Sequence, residues 1–275
     1  MNYLDFARHL LEGGSLESKL FRSESQLDHS NTFNSKLSIP KFPGREEKIK
    51  SSEKQVKFPK KSSLHIKERR AVALHFFANH ELLAIEMMAA ALLKFPLDGE
   101  NGQKIINGLL GTIRDEQKHL SLYIKQMNKL GVEFGEFPLN DFFWRQISQL
   151  NTVDEYFATM SLTFEQANLD FAICYGDIFT EVGDLESAEI MKIVLKDEIK
   201  HVAFGQECLS LSAGDRDFWD FYLSLLPEKI SPSRGKGMSF AKEPRVKAGL
   251  SENFIQKMQD FRGDFSITER KEWKS

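Results

Sequence analysis

The chain has 275 residues, of which 41% are hydrophobic and 28% charged, a composition typical of a globular protein with a sizeable core. Its formal net charge of −3 gives no general attraction for nucleic acid or for an anionic membrane. No run of about 18 apolar residues predicts a transmembrane helix. The N-terminus, MNYLDFARHLLEGG, lacks the order of a secretory signal. The only cysteines, Cys174 and Cys208, are too few for a disulfide framework, so we expect a cytoplasmic protein with reduced thiols.

The N-terminal part of the chain predicts a helix followed by an extended arm. Residues 1–20 are helical in pattern, with a stop near Gly13 and Gly14, whereas residues 21–65 are rich in Ser, Asn, Lys and Pro and lack periodicity. Residues 45–70 hold ten Lys or Arg against four Glu. A solvated arm wrapped on the body is the simplest interpretation of this charge, and contact with an anionic partner is the alternative.

Four long segments then show helical periodicity. They run from Lys67 to Pro96, from Gly102 to Gly131, from Thr152 to about Val182, and from Leu185 to about Ser212. The third opens with a capping-box pattern between Thr152 and Glu155. Shorter helices are predicted near 218–226 and 251–261, with a loop at 231–244, and no alternating strand pattern stands out.

The predicted fold class is therefore all-α, with extra N- and C-terminal helices around a bundle of four long helices. We predict three segments. They are a helix and arm at 1–65, the bundle at 66–215, and C-terminal helices with a loop at 216–275.

Each of the four long helices places at least one acidic side chain on its apolar face. These inward residues, with the histidines that accompany them, are Glu81, Glu116, His119, Glu165, Glu198 and His201. They also repeat along the chain. Glu81 and Glu165 are 84 residues apart, and 82 residues separate both the later glutamates and the two histidines. The repeat predicts two helical hairpins that together form a four-helix bundle.

Burying four carboxylates and two imidazoles is unfavourable unless something compensates them. Two divalent metal ions would do so, because carboxylate and imidazole are ligands that such ions prefer. The alternative is a buried salt-bridge network, but without matching inward cations it would leave excess negative charge. The sequence therefore predicts a dinuclear metal site with these six residues as ligands.

Several neighbours of the predicted ligands have more than one interpretation. Asp115 and Asp197 each precede a ligand glutamate, and we predict that each hydrogen-bonds the histidine of the opposite helix; a solvent-facing charge is the alternative. Glu86 either borders the site or ligates in place of Glu81. His80 is interpreted as a structural histidine rather than a ligand, and Tyr123 as a core residue rather than a redox-active tyrosine.

The order of these ligands resembles that of the ferritin-like superfamily. More narrowly, the chain resembles the uncharacterised ferritin-like family catalogued as domain of unknown function 455. The segments that carry the resemblance are 75–89, 115–123, 130–144, 164–172 and 183–205, with Pro43-Gly44-Arg45 upstream and PRVKAGLSE (244–252) downstream. The resemblance covers about residues 40–255. It implies a ferritin-like bundle with metal ligands at the six positions above, and it implies no particular reaction.

The function expected from this ligand set is that of a di-metal carboxylate oxidoreductase. It would use iron, or manganese in its place, to activate O2 and to oxidise or hydroxylate a small organic substrate. An apolar lining is expected from Phe76, Phe77, Leu162 and Phe164. Electrons would come from an external donor or from the substrate, since no flavin or nicotinamide motif is present. The alternatives are metal storage of the ferritin type and an RNA-modifying hydroxylase, for which the basic arm is the only support. The substrate and the oligomeric state are not predicted.

Overall fold

The computed structural model of the protein describes residues 1–23, 27–28, 37–54 and 56–263. Over these ranges the fold is all-α, as predicted. Two isolated β-bridges, Asn2–Asp28 and Ser51–Leu139, are the only strand-like pairings in the described residues. The chain divides into two compact units, Met1–Ser148 and Gln149–Ser275.

The first unit is built on a helical hairpin. Its helices are α1 (Tyr3–Glu12), α2 (Leu16–Lys19), α3 (Lys67–Lys94), α4 (Gly99–Lys129) and α5 (Trp144–Ile147). Helix α3 packs along α4, and α1 lies against α3. Helix α4 begins three residues before the predicted start at Gly102. The periodicity missed the first turn because that turn is polar. The turn is nevertheless helical, since the Gly102 N–H donates to the Asp98 carbonyl at 2.9 Å.

The described part of the arm packs on this first unit. The Gly44 N–H donates to the Leu11 carbonyl at 2.8 Å, and the Ser52 N–H donates to the Leu139 carbonyl at 2.9 Å. A Cβ at Gly44 would lie 2.0 Å from the Glu12 carbonyl oxygen, so this approach requires glycine. Residues 24–26, 29–36 and 55 of the predicted arm lie outside the described residues.

Three basic residues of the arm, Arg45, Lys48 and Lys50, form ion pairs within the first unit. Lys48 forms an exposed ion pair with Glu133 at 2.6 Å, and Lys50 lies 3.6 Å from Glu47. Arg45 is buried. Whether the rest of the arm is solvated or contacts an anionic partner stays a prediction.

The second unit contains the other helical hairpin. Its elements are α6 (Val153–Thr159), a π-helical segment (Met160–Glu165), α7 (Gln166–Glu181), α8 (Leu185–Ala213), α9 (Phe218–Leu225), α10 (Lys242–Lys247) and α11 (Glu252–Asp260). Helix α7 packs along α8. Thr152 caps α6, because its Oγ1 accepts from the Glu155 N–H at 3.1 Å, as the capping-box pattern predicted. The sequence did not predict α10, whose first three residues fall within the predicted loop at 231–244, nor the 3-10 helix Pro232–Gly235 in the same loop.

Helix α3 is long and apolar enough to cross a membrane by composition alone, but 83% of its most apolar window is buried within the protein. That burial is typical of a core helix of a soluble protein. Cys174 and Cys208 are both free thiols.

His75 on α3 is a buried, neutral histidine that no sequence motif marks. Its Nε2 accepts from the Gly135 N–H at 3.0 Å, and its ring packs against Phe134 and Phe137. Gly135 has a φ of 88°, in the left-handed region that favours glycine. Burial lowers the pKa of His75 from 6.5 to about 4.

This pKa predicts a loss of stability in mild acid. Between pH 6.5 and 4 the unfolded chain binds a proton at His75 that the folded chain does not, so stability falls as the pH falls through that window. His75→Gln keeps a hydrogen-bond acceptor but does not titrate. Between pH 7 and pH 5 the wild type should lose about 2 kcal/mol more than this variant, measured by urea unfolding at both pH values. Equal losses would show that His75 is not the titrating group.

Candidate metal centre

Three of the predicted ligands come together in the first unit. Glu81 lies on α3, and Glu116 and His119 lie one turn apart on α4. One ligand atom from each residue lies within 4.8 Å of the others, and all three side chains are buried. His119 Nδ1 is 3.3 Å from Glu116 Oε2. The antiparallel packing of α3 on α4 therefore brings the inward residues of both helices to one place, as the apolar periodicity predicted.

The second unit holds the other three predicted ligands, all of them buried. Glu198 and His201 lie one turn apart on α8, with Nδ1 of the histidine 3.5 Å from Oε2 of the glutamate. Ligand atoms of Glu165 and His201 lie within 4.8 Å of each other. Asn168 Nδ2 donates to Glu198 Oε1 at 2.7 Å. The helical periodicity did not predict this contact, although Asn168 lies one turn after Glu165 on the same helical face.

Glu165 ends a π-helical segment, Met160–Glu165, which the periodicity did not reveal. Side chains stabilise the altered backbone. Thr163 Oγ1 donates to the Ala158 carbonyl at 2.8 Å, and Gln166 Nε2 donates to the Leu162 carbonyl at 3.0 Å. Short π-helical segments are rare in proteins, and those that occur are often at functional sites. Here the segment sets the direction from which Glu165 approaches α8.

A glycine on α8 allows the π-helical segment to come close. A Cβ at Gly205 would lie 2.2 Å from the Ser161 Cβ, closer than two such carbons can approach. The sequence places Gly205 one turn after His201 on the same apolar face. Its role becomes clear only with the segment that it faces.

The two aspartates beside the ligands have lysine partners three residues further along the chain. Asp197 Oδ1 accepts from Lys200 Nζ at 2.7 Å, and Asp115 Oδ1 lies 3.5 Å from Lys118 Nζ. The Asp197 side chain is nearly buried, whereas that of Asp115 is 32% exposed. The predicted hydrogen bonds from these aspartates to histidines of the opposite helices stay predictions.

Glu86, the alternative to Glu81 as the ligand of α3, is paired with two buried cations. Arg45 donates to both carboxylate oxygens, from Nε to Oε1 at 3.0 Å and from Nη2 to Oε2 at 2.6 Å, and Lys19 Nζ lies 3.1 Å from Oε1. All three side chains are at most 2% exposed. A carboxylate so fully used by two cations is a poor metal ligand, and Glu81 is the residue of α3 that meets Glu116 and His119.

His80 and Tyr123 also occupy settings that favour structural roles. The His80 ring lies between Phe76 and Phe143, with centroids 4.8 and 5.1 Å away, and burial lowers its pKa to about 4. Tyr123 is buried and packs on Phe77 with a centroid distance of 5.7 Å.

The chemistry of the donor set fits a divalent transition metal. In each unit the candidate ligands are two buried glutamates and one buried histidine, and iron, manganese and zinc accept carboxylate oxygen together with imidazole nitrogen. The buried cations Lys19 and Arg45 of the first unit are both directed at Glu86. These buried Glu and His groups can therefore hold a metal ion.

Fold and site together define an all-α helical protein with buried carboxylate–histidine clusters suited to metal binding. The chain belongs to the family described as Protein of unknown function (DUF455), whose model matches residues 12–256. An uncharacterized protein of Haemophilus influenzae (strain ATCC 51907 / DSM 11121 / KW20 / Rd) is 28% identical over 151 residues. That match covers 53% of this chain and 52% of the relative, so the chain spans about half the length of the curated protein it matches. No solved structure matches the chain.

Proposed function

We propose that the protein is a dinuclear metal oxidoreductase that activates O2 to oxidise or hydroxylate a small organic substrate. The observation that supports this most is the same buried set in both units, a glutamate from one helix and Glu-x-x-His from the helix packed against it. Membership of the ferritin-like superfamily, which shares this ligand order, stays a prediction.

Each hairpin would supply the ligands of one ion. Glu81, Glu116 and His119 would hold the first ion, and the second would be held by Glu165, Glu198 and His201. Three protein ligands per ion leave coordination positions for O2 and substrate. Iron, when bound, would supply the electrons that O2 activation requires, and manganese is the alternative metal.

The chain's own residues would exclude water and position the ligands. Leu162 and Phe164 are buried within the π-helical segment, and Phe77 lies one turn before Glu81 on α3. Apolar side chains at these places keep water from reactive groups during an oxidation. Asn168 holds Glu198 by a hydrogen bond, which limits the directions in which that carboxylate can turn.

The chain holds its cysteines as free thiols, which supports the expected cytoplasmic location. A reductase of that compartment, or the substrate itself, would return the electrons after each turnover. Ferritin-type storage would use a similar donor set and differs in forming a large hollow assembly, so the mass of the assembly distinguishes the two.

The first test is the metal content. We expect the reconstituted protein to carry close to two transition-metal ions per chain, because six inward ligands suit two ions that share carboxylates. Elemental analysis after anaerobic loading with ferrous ion measures this number. A protein that retains only traces of metal would contradict the proposal. O2 is then added and followed by optical and Mössbauer spectroscopy, and iron that stays ferrous would exclude O2 activation.

A further inference from the structure

Two arginines from outside the helical hairpins make matching buried ion pairs. In the first unit, Arg45 Nε and Nη2 donate to the two oxygens of Glu86 at 3.0 and 2.6 Å. In the second unit, Arg245 Nη1 and Nη2 donate to the two oxygens of Asp170 at 2.7 and 2.9 Å. All four side chains are at most 2% exposed.

The two carboxylates occupy the same position relative to a proposed metal ligand. Glu86 is five residues after Glu81, and Asp170 is five residues after Glu165. At 100° per residue, a separation of five places the paired carboxylate about 140° around the helix from the ligand. Helices α3 and α7 are thus held on the side facing away from Glu81 and Glu165, respectively.

In the second unit, Arg245 also reaches the residue next to the ligand. Its Nε donates to Gln166 Oε1 at 3.1 Å, and the amide of Gln166 donates to the Leu162 carbonyl inside the π-helical segment. The guanidinium itself is fixed, since Nη2 donates to the Gly235 carbonyl at 3.0 Å. A continuous set of hydrogen bonds therefore joins Arg245 to the backbone that carries Glu165.

In the first unit, Lys19 makes the corresponding link. Its ammonium lies 3.1 Å from Glu86, and its carbonyl accepts from Gln117 Nε2 at 2.9 Å. Gln117 directly follows the ligand Glu116. Lys19 therefore connects α3 and α4 through Glu86 and Gln117, while Arg45 holds α3 through Glu86.

Metal ligands tolerate little displacement. A carboxylate lies roughly 6 Å from its helix axis, so a rotation of the helix by ~10° would move it by ~1 Å, against a tolerance of ~0.5 Å for a working site. A bidentate arginine pair resists such rotation because both N–H groups must keep their oxygen partners. Lysine, a single point charge, does not impose the same orientation.

We propose that Arg45 and Arg245 are positioning residues of the metal centre, each setting the rotation of one ligand-bearing helix. The inference rests on the proposed metal function. It also gives a role to two segments of the family resemblance that contain no proposed metal ligand. Arg45 ends Pro43-Gly44-Arg45, and Arg245 lies in PRVKAGLSE. Each arginine positions the ligand of its own unit, Glu81 for Arg45 and Glu165 for Arg245.

The test is an anaerobic titration of the full chain with Co²⁺, whose d–d absorption reports the geometry of each bound ion. Arg45→Lys and Arg245→Lys keep the charge but lose the planar fork. We expect the wild type to bind two equivalents, and each variant to bind one of them roughly 10–100-fold more weakly with an altered spectrum. The double variant should weaken both. Glu86→Gln and Asp170→Asn, which keep side-chain shape, should weaken binding of the same ions. They replace the lysine variants in the test if one of those fails to fold.

The control is Phe218→Ala, which removes a half-buried ring packed on Phe254 at a centroid distance of 5.4 Å and so destabilises the second unit away from the ligands. We expect it to lower the melting temperature while leaving Co²⁺ affinity and spectrum unchanged. Arginine variants that titrate like the wild type would overturn the inference, as would a control that weakens binding as much as Arg245→Lys. A wild-type protein that binds no Co²⁺ would instead overturn the proposed function, and this inference with it.

Discussion

Replacing Glu86 with alanine is expected to destabilise the metal-free protein by about 3–5 kcal/mol. The change leaves Lys19 and Arg45 buried without the carboxylate that both contact at 3.1 Å or less, and breaking a buried ion pair from one side has a cost of this size. Glu81→Ala should do the opposite. It removes one of two neighbouring buried carboxylates, so the metal-free protein should be as stable as the wild type or more so.

The two variants should also differ in metal content. With excess ferrous ion under anaerobic conditions, Glu86→Ala should still bind two ions per chain, because its ligands remain, although one of them more weakly. Glu81→Ala should bind one. Denaturant unfolding of the metal-free proteins and elemental analysis of the loaded proteins give the two measurements. If Glu86→Ala lost an ion while Glu81→Ala kept both, Glu86 would be the ligand of α3.

Gly205→Ala is expected to destabilise the protein by about 3 kcal/mol and to weaken binding of the metal ion in the second unit. The new Cβ would lie 2.2 Å from that of Ser161, so α8 and the π-helical segment would have to separate, and overpacking of this kind typically costs 1–3 kcal/mol or more. Glu165 ends the same segment and would be displaced with it.

Gly176→Ala is the matched control on α7. Its Cβ would lie 3.4 Å from the Met191 Cβ, an ordinary contact. Alanine within a helix is favoured over glycine by about 0.5–1 kcal/mol, so this variant should be slightly stabilised. Thermal melts with and without Co²⁺ compare the two. Adding Ser161→Gly to Gly205→Ala should recover most of the loss; a double variant no better than the single would show that the contact with Ser161 is not the cause.

Helical periodicity predicted the parts of the fold and site that depend on a regular 3.6-residue repeat. Glu81, Glu116 and His119 fall on the apolar faces of α3 and α4, and they are buried together. Glu198 and His201 were found in the same way. Such residues are predictable because the burial of apolar neighbours determines where they point.

The features that periodicity missed depend on contacts between distant parts of the chain or on a break in the repeat. The π-helical segment inserts extra backbone before Glu165, and no local pattern in MSLTFE marks it. Arg245 pairs with Asp170 across 75 residues, so neither residue has a local signal. Glu86 was considered as a neighbour of the site or a replacement for Glu81, but its partners Lys19 and Arg45 lie in segments interpreted as a terminal helix and a solvated arm.

The buried pairs of Glu86 and Asp170 determine how short an expressible version of this protein can be. A fragment limited to residues 66–215 contains every proposed ligand, yet it lacks Lys19, Arg45 and Arg245. Its carboxylates at 86 and 170 would lose the cations that neutralise them and would gain water or protons instead. The smallest fragment that keeps both pairs and Lys19 extends from residue 19 to residue 245. Truncations for crystallisation should therefore begin and end outside these positions, at the chain ends rather than at the ends of the long helices.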